Sequence, residues 1–599
     1  MALSSFASVP SVFTFTTRLQ PTPSTPGVSF PTSKTGTSLG SIRIMANTKN
    51  SRESNIARRS ANYQTPIWHF DYIQSLRSDF VGEPYARRIN KLKENVKVML
   101  EKEVDPIAQL EQIDVLQRLG LAYHFEDEVE NILKRVYHTN FGNGTWKNNL
   151  YATALAFRLL RQHGYSVPQE VFNDFKDEKG NFKSCMCEDT MGMLYLYEAS
   201  YHCIEGENLL KEARDFATKH LQEYVGRRKG DQNCDLSMLV NHALELPLHW
   251  RMLRLETRWF IDVYEKRQDM NRSLLELAEL DFNLVQSIHQ EDLKYASRWW
   301  RSTGLGENLS FARDRLMENF FWTVGVIFEP QFGYCRRMST KVNALITVID
   351  DIYDVYGTLD ELELFTDVVE RWDVNALDQL PDYMKICFLA LHNTINEMAY
   401  DVLREKRLDI LKYLKKSWAD ICKSYLLEAK WYYSGYKPTL QEYIENAWIS
   451  ISAPVILVHA FFFVTNEITE EALQCLEEYP NVIRWSSIIL RLADDLGTSS
   501  DELKRGDVPK SIQCYMHETG ASENEAREYI KRMIGEIWEK MNEDGVPSSN
   551  FSKTYIGIAK NLARMAQCMY QHGDGHGVQD KETKDRVLSL LINPISLHD

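Results

Sequence analysis

Val342-Asn343-Ala344-Leu345-Ile346-Thr347-Val348-Ile349-Asp350-Asp351-Ile352-Tyr353-Asp354 is the stretch on which the fold turns. Its first eight residues are mostly apolar, hold no proline or glycine, and lead straight into three acids. Read as a helix, the run places Asp350 and Asp354 one turn apart on a single face, with Asp351 round the side. Thr347 and Asn343 lie one and two turns before Asp351, and Gly357 offers a stop. Carboxylates crowded at the polar end of a buried apolar helix repel one another and resist desolvation. A divalent cation removes that cost, and oxygen donors of this type suit Mg²⁺ or Mn²⁺. The plain alternative is a helix end whose acids face water.

A second acidic element weighs against that alternative. In Arg491-Leu492-Ala493-Asp494-Asp495-Leu496-Gly497-Thr498-Ser499-Ser500-Asp501-Glu502, residues Asp494, Thr498 and Glu502 recur at i, i+4 and i+8. They form one helical stripe of oxygen donors fit for a hard cation. Arg491 stands just upstream and Lys510 downstream. Earlier, Arg313-Asp314-Arg315 precedes Phe320-Phe321-Trp322. Arginine grips phosphate oxygens well, and the spacing predicts that Arg315 and Trp322 share a helix face. Glu445 to Pro454 begins as a helix and meets a proline, which predicts a kink with freed carbonyls and with the Ser450 and Ser452 hydroxyls free to face a positive charge. Tyr570-Gln571-His572-Gly573-Asp574-Gly575-His576-Gly577 reads as a mobile glycine-rich lid rather than a histidine metal site.

The rest of the chain is helical in pattern. From about Arg87 to Glu265, apolar residues such as Leu110, Ile113, Leu116 and Leu119 recur at three- and four-residue spacing, with breaks at Gly120, Gly164 and Gly180. No alternating strand pattern of useful length occurs. His163, His242 and His249 have no ligand spacing and read as core or surface residues. A polar stretch from Arg267 to Arg272 marks a boundary. The opening differs: Met1 to Asn50 is rich in Ser, Thr and Pro and has no acid, the first being Glu53. That is a transit-peptide composition of a kind that fits import into a plastid. Arg58 and Arg59 follow it.

At 599 residues the chain has room for more than one domain, and 44% hydrophobic content supplies the cores. A net charge of −15 argues against nucleic acid or an anionic membrane as partner. The ten cysteines show no metal spacing, Cys185 and Cys187 being the closest pair, and read as reduced thiols. The most apolar stretch, around Ala453 to Val464, reads as too short to span a bilayer.

At these residues the sequence resembles the plant terpene synthases, specifically the angiosperm monoterpene synthases, over almost its whole length. The aspartate-rich motif matches at Asp350, Asp351 and Asp354, and the second metal motif at Asp494, Thr498 and Glu502. The tandem-arginine motif matches at Arg58, Arg59 and Trp68, and the Arg-Asp-Arg element at Arg313 to Arg315. One departure is Ala453, where many relatives carry glycine. The resemblance implies an all-α protein of two helical domains. Residues 1–55 would be the plastid transit peptide, 56–268 an α-barrel-like N-terminal helical domain, and 269–599 a catalytic domain with the class I terpenoid synthase fold. The Asp-x-Asp-Asp motif of protonation-initiated cyclisation is absent. The implied enzyme is a carbon–oxygen lyase acting on geranyl diphosphate with three Mg²⁺ ions or Mn²⁺. Asp350, Asp351, Asp354, Asp494, Thr498 and Glu502 would be the metal ligands. Arg313, Arg491 and Lys510, with Asp350, Asp354 and Asp494 through the metal, would bind diphosphate. Trp322 and Tyr425 would face the carbocation, Tyr570 and His576 would close over it, and Arg58 and Arg59 would hold a folded-back segment over the mouth. The implied setting is a monomer or dimer in the plastid stroma, with no nucleic acid or membrane partner. The alternatives are a prenyltransferase, a sesquiterpene or hemiterpene synthase of the same fold, and a catalytically dead helical binding protein.

Overall fold

In the computed structural model the aspartate run is the last two turns of a helix, Gly333–Asp351. Nearly all of its residues from Cys335 onward are buried, which places it at the centre of the molecule rather than on its surface. It packs against the long helix Arg272–Thr303 and against Leu316–Val326, Asp382–Lys406 and Ala453–Val464. The buried Arg336 guanidinium fixes one of these contacts by donating to Asp292 at 2.9 Å. The structure describes residues 58–141, 146, 148–227, 235–505, 508–544, 550–578 and 580–597, without the side chains of 140, 141, 235 and 500–505. The transit-peptide segment, Cys234 and the Glu502 side chain therefore lie outside the described residues.

The helix does not stop at Asp351. Its last turn widens into a π-type turn, Ile352–Tyr356, and ends at Gly357. The reason for glycine there differs from the expected left-handed cap, because its φ is −72°. A Cβ at this position would stand 2.6 Å from Leu362 Cδ2 and 2.9 Å from the Ile352 carbonyl oxygen, so close approach demands the glycine. Thr358 and Glu361 then form a capping box that starts Leu359–Arg371.

The second acidic element lies on Asn481–Arg505, which packs against Lys553–Tyr570 and Glu523–Asp544. Among the described residues there is no strand. The polar loop near residues 174–183 closes with one isolated bridge, Lys176 to Phe182. Buried side chains form a continuous core from Ile73 to Ile595, and Arg58–Asp599 is one compact unit. The expected boundary near residue 268 falls in the turn between Leu253–Tyr264 and Arg272–Thr303. His163, His242 and His249 serve packing, hydrogen-bonded to Gln117, Glu256 and Asn542. The nine described cysteines are free.

Two expectations about Leu440 to Val464 need correction. Taken as one span it is 25 residues and apolar enough to cross a membrane, yet 78% of its most apolar window is buried inside the protein. It is also two helices, Leu440–Ser450 and Ala453–Val464. The break lies at Ser452, whose φ is 71°, while Pro454 sits harmlessly in the first turn of the second helix.

Candidate active site

A cavity of about 330 Å³ draws its lining from both ends of the chain. Asp350 and Asp354 line it from the aspartate helix and its π-turn, and Arg491, Asp494 and Thr498 from Asn481–Arg505. Arg313 and Lys510 add cations. The apolar lining includes Trp322, Ile346, Tyr425, Ile451 and Ile456, with Asn343 and Thr347 among them.

Each Asp-Asp pair divides its labour in the same way. Asp350 lines the cavity, whereas Asp351 is fully buried and turned to Arg313. The Arg313 backbone N–H donates to Asp351 at 2.6 Å, its Nε stands 2.9 Å from the other Asp351 oxygen, and its Nη2 donates to Asp350 at 2.6 Å. Burial pushes the Asp351 carboxyl up, against the pull of Arg313. Asp494 lines the cavity and pairs with Arg491, whereas Asp495 is fully buried and stands 3.0 Å from the same arginine. Asp495 also accepts from the Tyr443 hydroxyl and the Ser511 N–H, both at 3.0 Å. In each pair, one carboxylate faces the cavity and its neighbour holds an arginine beside it. Of the expected ligands, Asp351 thus stands behind the cavity wall rather than in it.

The donors fit a hard cation. Asp350, Asp354, Asp494 and Thr498 offer only oxygen, and the Thr498 hydroxyl donates to the Asp494 carbonyl at 3.0 Å, which leaves its lone pairs free to accept. Among the described residues no three His, Cys, Asp or Glu side chains form a ready-made cage. Mg²⁺ is commonly held in this fashion, by one or two carboxylates, with water and phosphate completing its shell.

The segment after residue 57 lies across this site. Arg58 donates two hydrogen bonds of 2.8 Å to Glu361 and one of 3.0 Å to the Tyr356 carbonyl, and it stacks on Tyr356 and Tyr383. Burial alone would raise the Glu361 carboxyl, but hydrogen bonds from Arg58, Thr358 and Tyr383 hold it down at about 2. Arg59 donates to the Asp354 carbonyl at 2.9 Å and covers the Tyr432 ring. Both arginines grip the turn that carries Asp354, and neither lines the cavity. Ala61 to Gln64 do line it, and the Tyr63 ring lies under the Arg313 guanidinium at 5.0 Å.

The glycine-rich loop contributes Asp574, His576, Gly577 and Val578 to the same cavity, beside Tyr570. The Trp322 ring meets His576 edge-on at 6.4 Å and Tyr570 at 6.1 Å. Burial, with Arg313 and Arg315 nearby, pushes the His576 imidazole down to about 3, and its Nδ1 has no hydrogen-bond partner. At the helix break the serine hydroxyls are already engaged: Ser450 donates to Glu428 at 2.5 Å and Ser452 to the Ile451 carbonyl. Arg315 precedes the helix Leu316–Val326 instead of sharing a face with Trp322. Tyr63, Asn319 and Glu428 line the cavity without belonging to any of the sequence motifs. Glu428 had a signal, since it lies one turn after Tyr425 as an acid on a buried helix face.

Comparisons with known proteins agree with this geometry. The family model "Terpene synthase, N-terminal domain" matches residues 67–244, and "Terpene synthase family, metal binding domain" matches 301–540. The chain is 70% identical to a chloroplastic myrcene synthase of Quercus ilex, with 93% of each chain covered. It is 65% identical to a (−)-alpha-terpineol synthase of Vitis vinifera, with 99% of each covered. Among solved structures it is similar to limonene synthase with 2-fluorolinalyl diphosphate, at 51% identity and a TM-score of 0.88, over 90% of this chain and 100% of that one. It is also similar to grey poplar isoprene synthase in complex with three Mg²⁺ ions and dimethylallyl-S-thiolodiphosphate, at 48% identity and a TM-score of 0.81, over 88% of this chain and 99% of that one. With two matched domains, full-length relatives and a cavity lined by both acidic motifs, the chain belongs to the terpene synthase family, among its plant monoterpene synthases.

Proposed function

We propose that the enzyme ionises geranyl diphosphate and steers the resulting carbocation to a monoterpene, releasing diphosphate in the plastid stroma. The observation that carries this reading is the composition of one cavity: two oxygen-donor sets and three cationic side chains share it with an apolar, aromatic lining. Mg²⁺ bound by Asp350, Asp354, Asp494 and Thr498, with Glu502 next on the same helical stripe, would act as a Lewis acid on the leaving group. Arg313, Arg491 and Lys510 stabilise the charge that grows on departing diphosphate, the term from which most of the rate enhancement is expected. Asp351 and Asp495 keep two of those cations aimed at it.

Trp322 and Tyr425 present π faces that stabilise a cation without reacting with it. Strap and loop exclude the water that would quench it. His576, held neutral by burial, closes the wall beside Trp322, and the departing diphosphate takes the final proton. Asn343 and Thr347 shape the wall on which the product depends. Two functional halves meet in this design: the matched N-terminal domain supplies scaffold, and the metal-binding domain supplies chemistry. Incubation of the purified protein with geranyl diphosphate and Mg²⁺, followed by gas chromatography, tests the reading. Monoterpene hydrocarbons or alcohols are expected. Chain-lengthened prenyl diphosphates formed with isopentenyl diphosphate would make it a prenyltransferase instead.

A further inference from the structure

Arg315 is 1% exposed, and its guanidinium does not line the cavity that Arg313 lines. It is spent on backbone carbonyls instead. Its Nη1 donates to the Gln64 carbonyl at 3.1 Å and to the Asp314 carbonyl at 3.0 Å, and its Nη2 donates to the Gly577 carbonyl at 3.1 Å. Its Nε has no hydrogen-bond partner. Gln64 belongs to the N-terminal strap and Gly577 to the glycine-rich loop, and both segments cover the same cavity. One buried arginine therefore joins the two covers, which lie at opposite ends of the chain.

A buried guanidinium needs its acceptors. A group removed from water and left unpaired loses far more than one hydrogen bond contributes on balance. If the strap lifted alone, Arg315 would keep Gly577 and lose Gln64 while still enclosed; if the loop lifted alone, the reverse would hold. The favourable states are those with both acceptors in place or with the arginine released to water. Arginine suits this task because its planar fork reaches two carbonyls in different directions, which an ammonium group cannot do in fixed geometry. Burial, opposed mainly by Glu318, lowers its pKa, consistent with a cation held by dipoles rather than by a close carboxylate.

We propose that Arg315 is the positioning residue that couples strap and loop, so that residues 58–68 and 572–578 close over the cavity as one lid. It would have no direct part in holding diphosphate. The inference deepens the proposed chemistry and rests on it for the water-capture readout alone.

The test has one arm on the unaltered protein. Hydrogen–deuterium exchange of the full chain, with and without inorganic diphosphate and Mg²⁺, should slow in both segments together. Slowing in one segment only would overturn the coupling. If neither segment slows while calorimetry shows diphosphate bound, the coupling is likewise overturned. The second arm compares Arg315→Lys and Arg315→Gln with the parent protein, for the inhibition constant of inorganic diphosphate and for the ratio of alcohol to hydrocarbon products. That ratio does not depend on how much protein is folded. Loss of one bridging hydrogen bond should raise the alcohol fraction roughly fivefold, with inhibition by diphosphate unchanged and the two segments exchanging at different rates. A tenfold weaker inhibition with an unchanged alcohol fraction would make Arg315 a phosphate ligand and sink the proposal. If both variants fail to fold, the exchange experiment on the parent protein still decides. If no product of any kind forms from geranyl diphosphate, the proposed function fails, and the exchange arm judges the coupling by itself.

Discussion

Two adjacent aspartates look alike in sequence and differ in the fold. Asp350 lines the cavity, while Asp351 is sealed behind it against Arg313. Asp350→Asn should therefore cut kcat by about 10²-fold or more, because it removes charge that acts on the leaving group, and should lower the melting temperature less than Asp351→Asn does, since its pair with Arg313 is partly exposed. Asp351→Asn should do the opposite first. Removing one partner of a buried ion pair costs on the order of 3 kcal/mol, and thermal denaturation by circular dichroism would show it. Equal melting temperatures for the two variants would contradict the division of labour. At this scale the sequence was informative about donor type and spacing, and both motifs do line one cavity. It was silent about which way each side chain turns, because direction depends on a partner such as Arg313 that lies 37 residues from Asp350. Tyr63 was invisible for a related reason: it sits in a turn-prone stretch with no periodicity, and it gains meaning only from the arginine ring contact across the fold.

The elements that matter are the π-turn and the strap that grips it. Gly357 ends the turn where a methyl group would strike Leu362 and the Ile352 carbonyl. Gly357→Ala should destabilise the protein by about 1–3 kcal/mol, the usual cost of overpacking, and should weaken Mg²⁺-dependent turnover because Asp354 lies on the displaced turn. An unchanged KM for Mg²⁺ would argue that the turn does not set the ligand's position. Arg58 and Arg59 hold the same turn through Glu361 and the carbonyls of Tyr356 and Asp354. The trans double bond of geranyl diphosphate forbids direct ring closure, so a cyclising enzyme must ionise, recapture, rotate and ionise again under a closed cover. Arg58→Ala/Arg59→Ala should lower kcat/KM for geranyl diphosphate about tenfold more than for linalyl diphosphate, a difference near 1.4 kcal/mol. Equal losses on both substrates would count against a role in isomerisation. Helical periodicity announced these elements well. It assigned the break near Ser452 to Pro454, whereas proline is welcome in a first helical turn and the left-handed residue that ends the preceding helix is a serine rather than a glycine.

Across the molecule, packing has enclosed several histidines as neutral groups. His202, His249 and His289 lie well below the usual histidine range because burial penalises their charged form, and His459 is pushed down to about 4. Their unfolded-state pKa, near 6.5, is higher, so below about pH 6.5 the unfolded chain binds protons that the folded chain refuses. Stability should be full above that pH and should fall as pH drops from 6.5 toward 4, with His459 alone accounting for about 3 kcal/mol at the low end. A melting temperature flat from pH 7 to 4.5 would contradict this. Helical class and the two acidic motifs were legible from the sequence, while the continuous core joining Ile73 to Ile595 was not, because it is made of contacts between residues hundreds of positions apart. The central claim remains that two acidic elements make one metal-dependent diphosphate site, and calorimetric titration of the full chain with inorganic diphosphate tests it most directly. Binding should be tighter with Mg²⁺ than without by about tenfold or more, 1.4 kcal/mol, and that gain should vanish in both Asp350→Asn and Asp494→Asn. Diphosphate bound equally well without Mg²⁺, or a gain that survives both substitutions, would contradict the account.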